Sequence, residues 1–357
     1  MAGFNGPSLP TEIDAIAREF SLGGIVFFAR NVEEPAQVAE VSRRASELMA
    51  DGLPPWISVD QEGGRVARFK NGFTLWPPMA TLGRSGDVQL ARRFARALAA
   101  ELLAVGVTLD FAPVLDVFTN PKNTVIGDRA LAEDARTVAE LGVAIIEELQ
   151  GAGLAACGKH FPGHGDTLAD SHHDLPYVEH DPERLRAVEF EPFRAAIKAD
   201  VASLMTCHVL VPSIDEERPG TVSPKIVQGL LRDELGFQGL VFTDDMEMKA
   251  IAARWPVPQA AVQAVTAGCD GVLVCSGNYD LQAATLEALV RAVEQEEIPY
   301  KRVEQAIAHQ RAAKERFLLG AGRPTAATAT AEARTRLRQV VGSESHQAIA
   351  AEMAKFA

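Results

Sequence analysis

The stretch GLVFTDDMEMKAIAARWPVPQAAVQAVTAGCDGVLVC (239–275) decides the fold. It opens on an apolar run, 239–245, that ends in the paired acids Asp244 and Asp245. A helical pattern follows over 256–267, and a second apolar run occupies 270–275. Neither run alternates cleanly between apolar and polar residues, which is the pattern of strands buried on both faces. A buried strand, a helix and another buried strand in succession predict a parallel sheet with a crossover helix.

The same unit recurs toward the N-terminus. GGIVFF (23–28), PWISVD (55–60), GVTLDFA (106–112), LAACGKH (154–160) and ASLMTCH (202–208) read as strands. Helical patterns lie between them at 34–50, 86–105, 132–151, 181–199 and 224–235, and another covers 280–296. These make seven strands. Ala2–Asn5, ahead of a helix near Thr11–Phe20, offers a short eighth that would close a barrel. The expected fold class is α/β: a single (β/α)8 TIM-type barrel over 1–320, then a linker and C-terminal helical cap over 321–357. GAGRPTAATATAEAR (320–334) reads as linker or extended cap, and 331–357 as helix. A doubly wound open sheet is the alternative, but no GxGxxG or Walker loop supports a nucleotide-binding version of it.

A length of 357 residues is ordinary for one α/β barrel with loop insertions. A hydrophobic fraction of 47% with 23% charged residues suits a soluble globular enzyme. The balance of 35 basic and 48 acidic residues gives −13, which argues against nucleic acid or an anionic membrane as partner. Cys157, Cys207, Cys269 and Cys275 are too few for a disulfide framework and contain no CxxC zinc pair. A reducing, cytoplasmic setting is therefore expected. MAGFNGPSLPTEID lacks the basic and apolar regions of a secretory leader, and no apolar run reaches the roughly 18 residues of a membrane span.

Reactive residue types fall at or just after the C-terminal ends of the apolar runs. Asp60 ends one run, Lys159 and His160 another, His208 a third, and Asp244 with Asp245 a fourth; Arg129 lies in the long segment after 106–112. In a barrel all of these face one rim, where active sites are found. The loop 161–176 is the strongest local signal, with His164, Asp166, Asp170, His172, His173 and Asp174 among glycines and prolines. Residue types alone leave two readings open. One is a metal site; the other is a proton-transfer dyad in which a carboxylate orients an imidazole. Histidines that merely cap turns are the plainer option.

KHFPGHGDTLADSH (159–172), VDQEGGRVAR (59–68), IGDR (126–129) and FTDDMEM (242–248) resemble the signatures of family 3 glycoside hydrolases, and among these the β-N-acetylglucosaminidase branch. The four motifs occur in the family's order, and the likeness runs to about residue 320. The resemblance implies a (β/α)8 barrel, no metal, no cofactor and a two-step retaining mechanism. It puts the nucleophile on Asp244, the general acid/base on His172 and its orienting partner on Asp170. Sugar-binding roles fall on Asp60, Arg68, Arg129, Lys159 and His160. The implied substrate is a terminal β-linked GlcNAc on peptidoglycan-turnover fragments, typically joined to 1,6-anhydro-N-acetylmuramic acid carrying a peptide. The expected partner is thus a small carbohydrate, with no nucleic acid and no membrane, met by a monomer.

Retention needs two displacements, for which glycosidases ordinarily use two carboxyl groups. A histidine can replace the second because its unperturbed pKa lies near working pH. Asp170 and His172 are two apart, so in an extended loop their side chains point the same way. The glycines and prolines around them predict a loop that closes over bound sugar. Asp244 must stay ionised, and Lys159 and Arg129 are expected to supply the cations that keep it so. Asp60 suits a pair of sugar hydroxyls.

Other polar residues have blander expectations. Asp245 is read as structural and turned away from Asp244; His164, His173, Asp166 and Asp174 as shaping the loop; Arg65 as a salt-bridge partner. His208 fits either the pocket or the core; Glu62 is tempting as a carboxylate catalyst, but the resemblance gives it no such role and Gly63–Gly64 after it suggest a tight turn; Trp56, Trp76 and Trp255 could stack on sugar rings but default to the core. The same fold could also serve a phosphorylase or a β-glucosidase. A metal-dependent hydrolase using His160, His164, His172 and Asp244 is the reading from a different mechanistic class.

Overall fold

In a computed structural model, which describes residues 1–48, 53–167, 175–319 and 331–357, every apolar run of the sequence is a strand. The strands are β1 (Ala2–Gly3), β2 (Gly24–Phe27), β3 (Trp56–Val59), β4 (Gln61–Gly63), β5 (Val66–Ala67), β6 (Leu109–Asp110), β7 (Ala155–Phe161), β8 (Ser203–Thr206), β9 (Leu240–Asp245) and β10 (Gly271–Leu273). β4 and β5 form an antiparallel hairpin. The other eight form one sheet in the order β1-β2-β3-β6-β7-β8-β9-β10, every neighbouring pair parallel. β1 has two residues rather than the four of Ala2–Asn5, yet it closes the ring. Gly3 N donates to Val274 O at 2.9 Å and Val274 N donates to Met1 O at 3.1 Å.

Helices Thr11–Phe20, Pro35–Ser46, Val88–Ala104, Ala135–Gly151, Val257–Ala267 and Tyr279–Glu294 follow strands and surround the barrel, giving the expected (β/α)8 fold. Their starts are written locally. Asp87 accepts from Gln89 N and Leu90 N, Asp134 from Thr137 N, and Asn278 from Leu281 N. The pattern at 181–199 is two helices, Pro182–Ala187 and Glu191–Lys198, not one. Pro192 sits in the first turn of the second, where its missing N–H costs nothing, and it disfavours continuation from upstream. The segment 224–235 is π-helical over Lys225–Glu234. The C-terminal stretch is also two helices, Ala331–Val340 and Glu344–Met353, separated where Gly342 adopts φ +66°. Most of the expected linker, residues 320–330, lies outside the described residues.

The barrel interior is filled by Val26, Trp56, Leu109, Phe111, Cys157, Met205, Leu240 and Phe242, all buried. Helix Tyr300–Leu318 closes the N-terminal mouth. Phe317 and Leu318 join the interior cluster, Gln310 Nε2 donates to Asp270 O at 3.2 Å, and Lys314 Nζ donates to Gly23 O at 3.1 Å. All four cysteines are free and buried. Burial pushes the Cys157 and Cys269 thiols up to about 12, so both act as small hydrophobes.

A buried carboxylate, Glu101, ties the C-terminal helices to the barrel, beside the Arg93–Glu352 ion pair. Glu101 accepts from Thr74 N at 3.1 Å, Thr74 Oγ1 at 2.5 Å and Gly342 N at 2.9 Å. It also meets His346 Nδ1 at 2.8 Å. Replacing Glu101 with Ala strands these donors in a dry place. The expected cost is about 2–4 kcal/mol, read as a lowered urea midpoint at an unchanged slope. A loss under about 0.5 kcal/mol, the range of ordinary surface changes, would show that the tie does not matter.

Candidate active site

Parallel strands deliver their carboxyl ends to one rim, and a bulge lets β7 deliver two consecutive side chains there. In the β7–β8 ladder Lys159 pairs with Met205 and Phe161 with Thr206, so His160 is skipped. An extra residue of this kind breaks the two-residue alternation and re-aims a side chain. Lys159 and His160 therefore both meet residues from elsewhere on the rim, although neighbours on a regular strand face opposite sides.

Lys159 is the hub. Its Nζ lies 2.7 Å from Asp60 Oδ1 and 2.6 Å from Glu62 Oε1, and its side chain is 2% exposed. Glu62 grips Arg129 with both oxygens, at 2.8 Å to Nε and 2.8 Å to Nη2. Arg68 Nη2 reaches Asp60 Oδ2 at 3.3 Å. Arg129 Nη2 also lies 3.3 Å from His160 Nε2, and His160 Nδ1 lies 2.6 Å from Asp116 Oδ2. The β4–β5 hairpin sets Arg68 in place. Gln61 Oε1 accepts from Arg68 N and Phe69 N, and Gln61 Nε2 donates to Phe69 O. At Gly63, φ +114° and Pro77 O only 2.8 Å from a would-be Cβ exclude a side chain.

Three carboxylates (Asp60, Glu62, Asp116) meet three permanent cations (Lys159, Arg129, Arg68). Burial alone would raise Asp60, but Lys159 and Arg68 outweigh it and hold the carboxyl at about 2. Glu62 is lowered in the same way, burial losing to Lys159 and Arg129. Lys159 is raised because Asp60 and Glu62 overcome its desolvation. Among the described residues Asp110 makes no ion pair, and its Oδ2 has no hydrogen-bond partner. Burial pushes it up to about 7, and its Oδ1 accepts from Gln61 N at 3.0 Å.

Asp244 and Asp245 end β9 on this rim, both partly exposed. Asp244 Oδ1 accepts from Asp245 N at 2.8 Å. Asp245 holds its own turn, with Oδ1 accepting from Glu247 N at 3.1 Å and Cys275 N at 3.3 Å; burial raises it to about 6. His208 is enclosed, its Nε2 donating to Asp245 O at 3.0 Å and its Nδ1 2.9 Å from Thr221 Oγ1. The charge of Asp244 acts on His164 and His208, and burial lowers both histidines. Lys159 and Arg129, expected as the cations that keep Asp244 ionised, form ion pairs with Asp60 and Glu62.

The described part of the 161–176 loop is knitted to the segment after β6. Asn123 Nδ2 donates to His164 O at 2.6 Å, and Thr119 Oγ1 donates to Asp166 Oδ1 at 2.8 Å. Asp166 also pairs with His180, and His164 Nδ1 lies 2.9 Å from Thr167 Oγ1. His164 and Asp166 thus shape the loop. Asp170, His172, His173 and Asp174 lie outside the described residues. Among the described residues no three His, Cys, Asp or Glu side chains are grouped as a metal site.

The structure brings Asp60, Arg68, Arg129, Lys159 and His160 together, as expected, and adds Glu62 and Asp116. Glu62 was readable as a turn residue before two glycines; its burial depends on Lys159, 97 positions on. Asp116 carried a weak signal, an acid inside the apolar run PVLDVF (113–118), which requires a partner if buried. Arg65 is the structural residue expected, 3.4 Å from Asp128 and donating to the Thr124, Val125 and Ile126 carbonyls. Trp56 and Trp76 are buried and Trp255 is partly buried against the core.

Residues 8–312 match the N-terminal domain of glycosyl hydrolase family 3. Over 306 residues the chain is 40% identical to a β-hexosaminidase of Nitrosomonas eutropha, covering 83% of this chain and 87% of that protein. A family 3 β-N-acetylglucosaminidase from Paenibacillus sp. str. FPU-7 superposes with a TM-score of 0.92 at 41% identity. That alignment covers all of this chain but 66% of the Paenibacillus one, so the latter is about half as long again. NagZ from Neisseria gonorrhoeae, in complex with N-trifluoroacetyl-D-glucosamine, superposes with a TM-score of 0.79 at 31% identity, over 100% of this chain and 97% of NagZ.

The depressed Asp60 has a consequence for acid stability. Its folded value of about 2 lies below the ordinary 3.8. Its contribution is therefore complete above about pH 4 and is lost as pH falls through the folded value, about 2 kcal/mol in all. Urea unfolding from pH 5 down to pH 2 should show that loss in the native chain. In Asp60→Asn the corresponding part of the slope should vanish; equal slopes would mean that Asp60 is not held ionised.

Proposed function

Because the chain belongs to glycosyl hydrolase family 3, we propose that it is a retaining β-N-acetylhexosaminidase removing terminal, non-reducing β-linked GlcNAc from peptidoglycan-turnover fragments. The observation that carries this reading is a pre-assembled polar network of Asp60, Glu62, Lys159 and Arg129 on the same rim as the β9 carboxylate Asp244. Asp60, already ionised, accepts hydrogen bonds from sugar hydroxyls. Arg68, Arg129, Lys159 and His160 complete the glycon-binding surface. The β-hexosaminidase relatives support the acetamido sugar as substrate.

In this mechanism an Asp244 oxygen attacks the anomeric carbon, while His172 gives a proton to the departing glycosidic oxygen. The bond to the leaving group breaks as the glycosyl–Asp244 bond forms. His172, now neutral, takes a proton from water, and the resulting attack restores Asp244 with net retention. Asp170 holds the imidazole and stabilises its cation. Residues 1–320 are the catalytic unit, and 321–357 are a linker and C-terminal helical cap without a chemical role. A monomer in the cytoplasm fits the reading, since four free thiols suit a reducing compartment.

Trapping with a 2-fluoro or 5-fluoro GlcNAc donor, followed by peptide mass mapping, tests the nucleophile. The label is expected on the peptide carrying Asp244, and a label elsewhere rejects the assignment. Asp244→Ala should cut turnover by several orders of magnitude with the fold retained. Phosphate as the acceptor would instead yield sugar 1-phosphate, which product analysis in phosphate buffer distinguishes from free sugar. His172→Ala should slow natural glycosides far more than nitrophenyl ones, whose leaving groups need little protonation. Equal losses on both would remove it as the acid.

A further inference from the structure

Asp116 has no part in the mechanism above, yet it is fully buried between two elements of the site. Its Oδ2 lies 2.6 Å from His160 Nδ1, and its Oδ1 accepts from His164 N at 2.6 Å and His160 N at 3.3 Å. One carboxylate therefore holds both the ring of a β7 residue and the first turn of the loop that leaves β7.

The neighbours of His160 dictate its protonation. An ionised carboxylate can only accept, so Nδ1 must carry the hydrogen that faces Asp116. A guanidinium can only donate, so Nε2, 3.3 Å from Arg129 Nη2, must present its lone pair. A single form, the neutral Nδ1–H tautomer, satisfies both contacts. Arg129 is then held from two directions, by the Glu62 carboxylate and by the imidazole lone pair.

We propose that Asp116 is a positioning residue that fixes the His160 tautomer, and through it the aim of Arg129, while pinning the root of the 161–176 loop at His164. The proposal rests on the reading of His160 and Arg129 as sugar-binding groups. In Asp116→Asn the new amide N–H₂ turned toward Nδ1 forces the hydrogen onto Nε2. Two donors then face each other at Arg129, and ring and guanidinium must part. The new amide oxygen can still accept from His164 N, so the loop stays pinned and the change acts through the His160 ring.

Nitrogen-15 NMR of the full chain labelled at histidine, with His160 assigned from a His160→Gln variant, reads the tautomer directly. Nδ1 should be protonated and Nε2 bare in the native protein, with the hydrogen moved to Nε2 in Asp116→Asn. A native His160 protonated at Nε2 overturns the proposal. Kinetics with 4-nitrophenyl β-GlcNAc supply the second reading. Asp116→Asn should lower kcat/KM by ~10- to 100-fold, the usual cost of losing a residue that orients a contacting group. In the His160→Gln background the same change should cost no more than about 3-fold, because the two residues act as a unit. Equal losses in both backgrounds would show a merely structural role. Should the native chain hydrolyse no β-GlcNAc donor, the functional reading fails, and the NMR result still decides the role of Asp116.

Discussion

The ammonium of Lys159 sits between two carboxylates in a nearly dry position, and the site is built around it. A lone buried cation would cost several kcal/mol, so the chain must bring anions to it. Asp60 and Glu62 both follow β3, while Lys159 lies on β7, with β6 between them in the sheet. The ion pairs therefore staple the outflow of β3 across the rim. Glu62, fully enclosed, needs a second cation, and this draws in Arg129 from the long segment after β6. Each pairing satisfies one buried charge and leaves another to be met by the next element.

This chain of obligations assembles the site before any sugar arrives. Polar groups held at fixed positions spend little energy on reorganisation when a ligand binds. Asp244 ends β9 on the same rim. Its charge is felt by His164 and His208, whose burial favours the uncharged imidazole.

The rest of the fold keeps this rim rigid. Helix Tyr300–Leu318 fills the opposite mouth with Phe317 and Leu318, so the barrel interior is a packed core rather than a channel. Glu101 fastens the C-terminal helices to the side of the barrel, tying chain 241 residues apart through Gly342. Asn123 and Thr119 fix the near stem of the 161–176 loop to the neighbouring segment. Its two histidine neighbours on β7 and in the turn share the single carboxylate of Asp116.

The sequence by itself determined the repeated buried strands, the helix starts and the rim on which reactive residues gather, with Asp60, Lys159 and His160 at strand ends; Arg68 and Arg129 came from the family resemblance. Those features are local, written in apolar runs, in Asp and Asn caps and in the position of polar residues at strand ends. The break inside 181–199 was equally local, in Pro192, but helical periodicity masked it. Closure by a two-residue β1 was decided by tertiary structure, since pairing of Gly3 with Val274 is invisible along the chain. So was the role of Glu62, which looks like a turn residue until Lys159 and Arg129 surround it, and that of Asp116. A buried charge is defined by what stands against it, and the partners of these acids lie 44 to 97 positions away. Only the folded chain brings them within 3 Å.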